Sequence, residues 1–202
     1  MSIEDLYTLM SDGRLIRASE LSLFGLHRVS LSMLIEQGKI EKVSRGVYIR
    51  SDIAKDSLFL NAVLALRIPQ GVFGLDSAFA FHDINRVTNH TWIRLCKGQK
   101  KYPKVNDYGA AFVTRSPDFF HQGICTTTIH GVQVRYTSLS HSVAECVVFR
   151  NRIGIENMLS AMMLYLKDSR FSKEDFQEAC RLHRVQEAVK PYMETCFHLL
   201  GK

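Results

Sequence analysis

Glycines divide the first fifty residues of the chain into short segments. Gly13, Gly25 and Gly38 each follow a stretch in which apolar residues recur at helical spacing, and they end three short predicted helices. Two β-prone runs come next, separated by a glycine-bearing turn at residues 44–46, and this pattern predicts a hairpin. A helix, a helix–turn–helix and a hairpin in this order are typical of a winged helix-turn-helix.

The third predicted helix, residues 27–37, is the one that would enter the major groove of DNA. Helical spacing predicts that one side is buried through Leu31, Leu34 and Ile35. The opposite side then carries Val29, Ser32, Met33 and Glu36, with Arg28 near the first turn. Arg28 and Ser32 have hydrogen-bond donors suited to base edges, whereas Val29 and Met33 could at most contact thymine methyl groups.

The predicted hairpin is better equipped for DNA than the helix, because Lys42 and Arg45 flank its turn and could reach phosphates. Residues 1–54 nevertheless hold seven basic and seven acidic residues, so they carry no formal net charge. A neutral winged unit can also serve in dimerisation or in binding a protein partner. Both interpretations remain open from these residues alone.

A polar stretch at residues 51–56 predicts a boundary between two domains: residues 1–54, a winged helix-turn-helix DNA-binding domain, and residues 55–202, an α+β domain. The second would contain a small, mostly antiparallel sheet flanked by helices. Helices are predicted at 57–67 and 76–82, strands at 91–95, 111–114, 123–129 and 131–136, and helices at 140–149, 155–167 and 172–200. We expect a hairpin corner at His130-Gly131, a capping box at Ser172, and an interruption of the last helix before Pro191.

Positive charge is concentrated in the middle of the chain. Residues 86–115 hold seven basic residues and one acidic residue, Asp107. The formal net charge of this segment is therefore +6, which equals that of the whole chain. A block of this kind attracts phosphates, although it can also be a solvated loop that keeps a protein soluble. We predict that both domains grip DNA, with phosphate contacts at Arg94, Lys97, Lys100, Lys101 and Lys104.

No pattern of catalytic or metal-binding residues is present. The eight histidines form no helical metal-binding pair, the five cysteines form no CxxC, and the phosphate-binding and nucleophile-elbow motifs are missing. A metal-dependent nuclease needs several carboxylates, and between residues 86 and 135 only Asp107 and Asp118 occur. We therefore predict no enzyme, no cofactor and no metal site, with a nuclease as the remaining enzymatic alternative.

Composition and cysteine usage indicate where the chain works. Hydrophobic residues make up 46% and charged residues 23%, which is ordinary for a globular protein. No apolar run is long enough to cross a membrane, and the acidic start of the chain does not resemble a signal peptide. The cysteines are odd in number and widely spaced, which favours a reducing compartment. We therefore expect a cytoplasmic protein without a membrane partner.

Taken in order, several segments resemble the AbiEi antitoxins of bacterial abortive-infection, type IV toxin–antitoxin systems. The segments are the wing at 43–48, then residues 65–72, 77–82, 91–94, 129–134, 142–150 and 184–193. The resemblance covers most of the chain, although no single segment is specific. One position departs from the family pattern, because Glu145 stands where an aspartate is expected.

The resemblance implies an antitoxin with two roles. Its winged domain would bind double-stranded operator DNA at inverted repeats upstream of its own operon, with scope for a homo-oligomer on the DNA, and would repress transcription. Its C-terminal domain would counteract a nucleotidyltransferase toxin without forming a stable complex. The alternative is a stand-alone transcriptional regulator of the same build, whose C-terminal domain is a sensor or an oligomerisation module.

Overall fold

A computed structural model describes residues 6–8, 10–23, 25, 28–86, 88–98 and 108–200 of the chain. The chain forms two compact units. The first unit comprises Met1–Pro69 together with Thr126–Val134, and the second comprises Gln70–Cys125 together with Arg135–Lys202. The assignment of a DNA-binding domain to residues 1–54 remains a prediction.

The first unit begins with helical residues 6–8 and alternates short helices with strands. Its further elements are β1 (Ile16–Arg17), α1 (Ala18–Leu23), α2 (Arg28–Glu36), β2 (Ile40–Ser44), β3 (Val47–Arg50) and α3 (Phe59–Arg67). The strands form an antiparallel sheet in the order β1-β3-β2. Its core contains Leu6, Met10, Ile16, Leu21, Leu31, Leu34 and Ile40. The predicted order of short helices followed by a hairpin is confirmed.

The second unit combines a sheet with a group of helices. Its first part holds β4 (Val72–Phe73), a 3-10 helix (Leu75–His82), β5 (Thr91–Cys96), β6 (Ala110–Arg115) and α4 (Pro117–Phe120). The hairpin strands β7 (Ile124–Ile129) and β8 (Val132–Thr137) follow, of which Thr126–Val134 belong to the first unit, and then α5 (Leu139–Val148), α6 (Arg150–Ile153), α7 (Ile155–Lys167), α8 (Lys173–Leu182) and α9 (Gln186–Leu199). The five-stranded sheet has the order β6-β5-β4-β8-β7. The predicted α+β fold is confirmed.

The sheet of the second unit is mixed, so the expectation of a mostly antiparallel sheet was wrong in its detail. Strand β4 runs antiparallel to β5, but β4 pairs in parallel with β8, and β5 pairs in parallel with β6. Parallel neighbours need a long connection between them. The chain supplies one at residues 97–109 between β5 and β6 and a much longer one between β4 and β8.

The tip of the β7–β8 hairpin belongs to the first unit. His130 and Gly131 form the predicted corner, with φ angles of 48° and 71° that suit a mirror-image turn. The carbonyl of His130 accepts a hydrogen bond from the N–H of Leu15 at 2.9 Å. A Cβ at Gly131 would lie 2.5 Å from Cγ of Arg14, so this corner requires glycine for space as well as for conformation.

The helices of the second unit pack around a shared apolar core that includes Val143, Met158, Met162 and Phe176. Helix α8 begins as predicted, because the Ser172 hydroxyl accepts a hydrogen bond from the N–H of Asp175 at 3.1 Å.

The predicted interruption of the stretch 172–200 before Pro191 is present, between α8 and α9, where Arg184 has a left-handed φ of 58°. It does not lie next to Pro191, since α9 runs through this residue. Pro191 has no N–H to donate to the carbonyl four residues before it, and its ring crowds that carbonyl.

Candidate nucleic-acid interface

Helix α2 has one buried side and one exposed side. Leu31 and Leu34 are buried in the core of the first unit, whereas Val29 is 73% and Met33 51% exposed. Ser32 and Glu36 are exposed as well. Ile35 was predicted to be buried but is 38% exposed. It lies at the edge of the buried side of α2, whereas Leu31 and Leu34 lie at the centre of that side.

The structure describes the side chains of two of the three base-contact candidates on α2. Ser32 and Met33 lie on the exposed side of the helix. Arg28 is the first residue of α2, and its side chain lies outside the described residues. Val29 and Met33 lie four positions apart on α2, so they form a small apolar pair on its exposed side.

The hairpin of β2 and β3 presents two basic side chains to solvent. Lys42 and Arg45 are both exposed. The register of the two strands shifts between Lys42 and Ser44, and such an irregularity changes the direction of the side chains beside it. Gly46 completes the turn with a φ of 74°, a conformation that favours glycine. The position of both cations agrees with the predicted phosphate contacts, which remain predictions.

Among the predicted DNA contacts whose side chains the structure describes, Arg94 is the exception, because its side chain is completely buried. Its Nη1 donates to Oε1 of Glu145 at 2.8 Å, and its Nη2 donates to the backbone carbonyl of Gln122 at 3.0 Å. Arg94 lies on β5, between the neighbouring strands β4 and β6, and the residues before and after it are buried too. A guanidinium enclosed in this way cannot reach a phosphate, so the prediction for Arg94 was wrong.

Two further arginines of the basic segment contribute to the interior of the second unit. The Arg86 side chain is 7% exposed, and its Nε lies 3.4 Å from Oδ2 of Asp76. Burial raises the pKa of Asp76 despite this partner. The guanidinium of Arg115 lies 4.6 Å from the ring centroid of Phe119, which is within cation–π distance.

Arg115 also anchors a pair of histidines. Its Nη2 donates to Nδ1 of His183 at 3.0 Å, and Nε2 of His183 lies 3.1 Å from Nδ1 of His141. Burial, followed by the nearby His141 and the positive charge of Arg115, lowers the pKa of His183 to about 3. Burial also lowers the pKa of His141. Both rings are therefore neutral near pH 7, and His183 can accept from Arg115 while it donates to His141.

Among the lysines of the basic segment, Lys97 is within the described residues, and it differs from the arginines in its exposure. Lys97 is exposed just after β5. Lys100, Lys101 and Lys104 lie outside the described residues. Their contacts with phosphates stay a prediction. Sequence reasoning did not identify Glu145 as the partner of Arg94, although each is the only charge within an otherwise apolar stretch, Trp92–Leu95 on the strand and Val143–Val148 on the helix.

No sign of a metal centre or a membrane span occurs in the described ranges. No group of three or more histidine, cysteine, aspartate or glutamate side chains there could hold a metal ion. Within the same ranges, no helix is both long and apolar enough to cross a membrane.

Comparison with known proteins gives a match in the first unit. No curated protein matches the chain. Residues 4–51, which contain helix α2 and the β2–β3 hairpin, match the family model described as "Transcriptional regulator, AbiEi antitoxin". This match confirms the resemblance in the region that holds the candidate interface, which is less than half of the chain.

Proposed function

We propose that this protein is an antitoxin that binds operator DNA and represses its own operon. The family described for residues 4–51 supports the general role of a regulator. The observation that supports DNA as the partner is the exposed side of α2 beside a hairpin with exposed Lys42 and Arg45. A helix of this kind fits the major groove, and a basic hairpin can contact the flanking phosphates.

The residue types on α2 and on the β2–β3 hairpin give these two elements different proposed roles in DNA binding. Met33 and Val29 contact thymine methyl groups and Ser32 donates to a base edge, so these residues select the sequence. Lys42 and Arg45 neutralise phosphates and supply affinity that does not depend on sequence. The chain binds inverted repeats upstream of its own operon, and two copies occupy the two half-sites. The lysines after β5, of which the structure describes Lys97 as exposed, extend the contact along the backbone.

Repression can be tested with the upstream region of the gene fused to a reporter. The wild-type chain should lower reporter output, and Met33→Glu should relieve repression because it places a negative charge against DNA. Lys167→Glu is the matched control, since Lys167 is an exposed residue at the end of α7 in the second unit. Full reporter output with the wild-type chain would contradict the proposal, provided that the protein accumulates to the same level as the variants.

The second role that we propose is neutralisation of a nucleotidyltransferase toxin by residues 55–202, without a stable complex. The word antitoxin in the family description supports it. The test is co-expression with a nucleotidyltransferase encoded beside this gene, with growth as the readout. We expect both the wild-type chain and Met33→Glu to restore growth, because α2 is not used in this role. Failure of both to restore growth would exclude the antitoxin role.

One observation favours the alternative of a stand-alone regulator with a sensor or oligomerisation module. A groove with a volume of about 730 Å³ lies on α8 and α9, and apolar side chains such as Phe176, Val189, Met193 and Phe197 line it. Such a groove could accept a small apolar molecule or a second copy of the chain. A chain that represses the reporter but gives no protection from the neighbouring nucleotidyltransferase would support this alternative.

A further inference from the structure

The groove between α8 and α9 in the second unit has an apolar floor. Phe176 and Cys180 on α8 and Val189, Met193 and Phe197 on α9 form this floor. On each helix these residues recur every four positions, so they lie in one row along that helix. All five belong to the apolar core of the second unit or pack against it. The groove is therefore a place where a part of the core is open to solvent.

Polar residues border the floor on both sides. They are exposed and also recur every four positions: Lys173, Gln177 and Arg181 on α8, and Gln186, Lys190 and Glu194 on α9. The volume of the groove is about 730 Å³, which lies within the range of about 300–1,000 Å³ that is typical of small-molecule sites. An apolar interior with a few polar groups at its edge is also the usual construction of such sites.

The described charges along the two borders balance. Two of the cations have a carboxylate partner on their own helix: Arg181 with Glu178, and Lys190 with Glu187, each at 2.6 Å. The other two charged residues of the borders, Lys173 and Glu194, have opposite signs. The described part of the groove therefore favours neither an anion nor a cation, and it suits a ligand without net charge.

A second copy of the chain fits this groove less well than a small molecule does, because the apolar side chains of the floor are recessed. In the described part of the second unit, the large apolar side chains that are exposed are Ile155 and Leu199, and neither of them lines the groove. A two-fold dimer would place one groove against the other, with no protruding apolar side chain from the described lining to fill either of them. A small molecule can enter the groove and remove its floor from water.

We propose that the groove between α8 and α9 binds an uncharged, mainly apolar small molecule. The apolar body of the ligand lies on Val189, Met193 and Phe197, and the amides of Gln177 and Gln186 can donate to or accept from a polar group at its end. The inference goes beyond the proposed function, because neither DNA binding nor neutralisation of a toxin requires such a ligand. Its test uses the full chain without DNA, so its failure leaves the proposed function intact.

The probe is N-phenylnaphthylamine, an uncharged fluorophore whose emission rises in apolar surroundings. Met193→Glu should weaken its binding by about tenfold or more, since this change places an unpaired charge on the apolar floor. Met163→Glu is the matched control, because Met163 is a partly buried methionine of α7 that does not line this groove. This variant should bind the probe as the wild type does. Equal melting temperatures for wild type and variants establish that the fold is intact.

A measurement on the wild-type chain does not depend on the folding of any variant. The methionine methyl signals are followed by NMR while the probe is added, and the signal of Met193 should shift whereas that of Met163 should not. A Met193 signal that stays in place, or unchanged probe binding in folded Met193→Glu, would overturn the proposal. Absence of probe binding by the wild type would overturn it as well.

Two further outcomes test the nature of the occupant. Anilinonaphthalene sulfonate has a related aromatic frame and adds a negative charge, so it should bind more weakly than N-phenylnaphthylamine. Tighter binding of the sulfonate would overturn the assignment of an uncharged ligand. Sedimentation across a concentration series tests for a second copy as the occupant. Self-association of the wild type that Met193→Glu abolishes, without binding of the probe, would overturn the proposal in favour of a dimer.

Discussion

The basic residues of the β2–β3 hairpin and the buried arginines of the segment 86–115 have opposite surroundings, although both regions were predicted to contact DNA. Lys42 and Arg45 project from a short hairpin and are exposed. Arg94 is fully buried against Glu145, and the side chain of Arg86 is only 7% exposed beside Asp76. The hairpin lies in a neutral stretch of sequence, whereas the segment has a formal charge of +6.

The difference shows that formal charge along a sequence is a poor measure of surface charge. A basic residue that falls on a central strand has its charge compensated inside the fold, and it then stabilises the protein instead of attracting phosphates. A basic residue in a turn remains accessible whatever the charge of its neighbours. We therefore expect substitutions in the two regions to affect different quantities, stability in one and DNA binding in the other.

The largest effect is expected for Arg94→Met. Removal of the guanidinium leaves the Glu145 carboxylate buried without its partner, which should lower the free energy of unfolding by about 3–5 kcal/mol. The salt slope of DNA binding by the folded fraction should not change. Urea unfolding measures the first quantity and anisotropy the second.

The double variant Arg94→Met with Glu145→Leu provides the control for this prediction. Loss of both charges removes the unpaired carboxylate, so much of the lost stability should return. A single variant of wild-type stability would contradict the structural role of Arg94, and a reduced salt slope would show that Arg94 reaches DNA after all.

Acid should destabilise the second unit through His183. An unfolded histidine takes up its proton near pH 6.5, whereas folded His183 does so only at about 3, so protons favour the unfolded chain between these values. The contribution of His183 is complete above pH 6.5 and is lost as the pH falls, by up to about 1.4 kcal/mol per pH unit.

Urea midpoints at pH 7 and pH 5 for wild type and His183→Gln test this expectation. The variant should lose less stability on acidification than the wild type. His198→Gln, which alters an exposed histidine near the end of α9, is the control and should behave as the wild type. Identical acid dependence in the wild type and His183→Gln would assign the effect to other groups.

On the hairpin, we expect Lys42→Gln combined with Arg45→Gln to reduce the salt slope by about 1.8, because each phosphate contact contributes about 0.9. Stability should change by no more than about 0.5 kcal/mol, since both side chains are exposed. Anisotropy across a salt series and thermal melting measure the two quantities. A wild-type slope in the double variant would remove the wing from the DNA contacts.

The smallest effect is expected for Lys97→Gln. Lys97 is exposed at the end of β5, so it can make at most one phosphate contact and should change the slope by about 0.9 or less. The same salt series measures it, with Arg181→Gln as the control for loss of one positive charge. A change larger than the value of about 1.8 expected for the wing would mean that the segment after β5 contributes more to DNA binding than the wing does.

Local patterns predicted the parts of the fold that local forces determine. Helical spacing located Leu31 and Leu34 in the core, the His130-Gly131 pair marked a mirror-image turn, and Ser172 marked the start of α8. These features depend on residues within a few positions of one another. The exposure of Val29 and Met33 followed from the same periodicity.

Features that depend on distant residues were not accessible in this way. The parallel pairing of β5 with β6 and the burial of Arg94 are decided by the strand order and by a partner on α5. The break in the C-terminal helical stretch does not lie at Pro191 but at Arg184, whose left-handed conformation follows the end of α8.

The central claim is that the exposed side of α2 selects a DNA sequence while the wing holds the backbone. The most direct test is fluorescence anisotropy with a labelled duplex from upstream of the gene and a scrambled duplex of equal length, across a salt series. The account predicts that the wild-type chain binds the native duplex more tightly and that Met33→Glu abolishes the difference. Equal, weak binding to both duplexes that vanishes with salt would contradict it and would favour a protein-interaction role for α2.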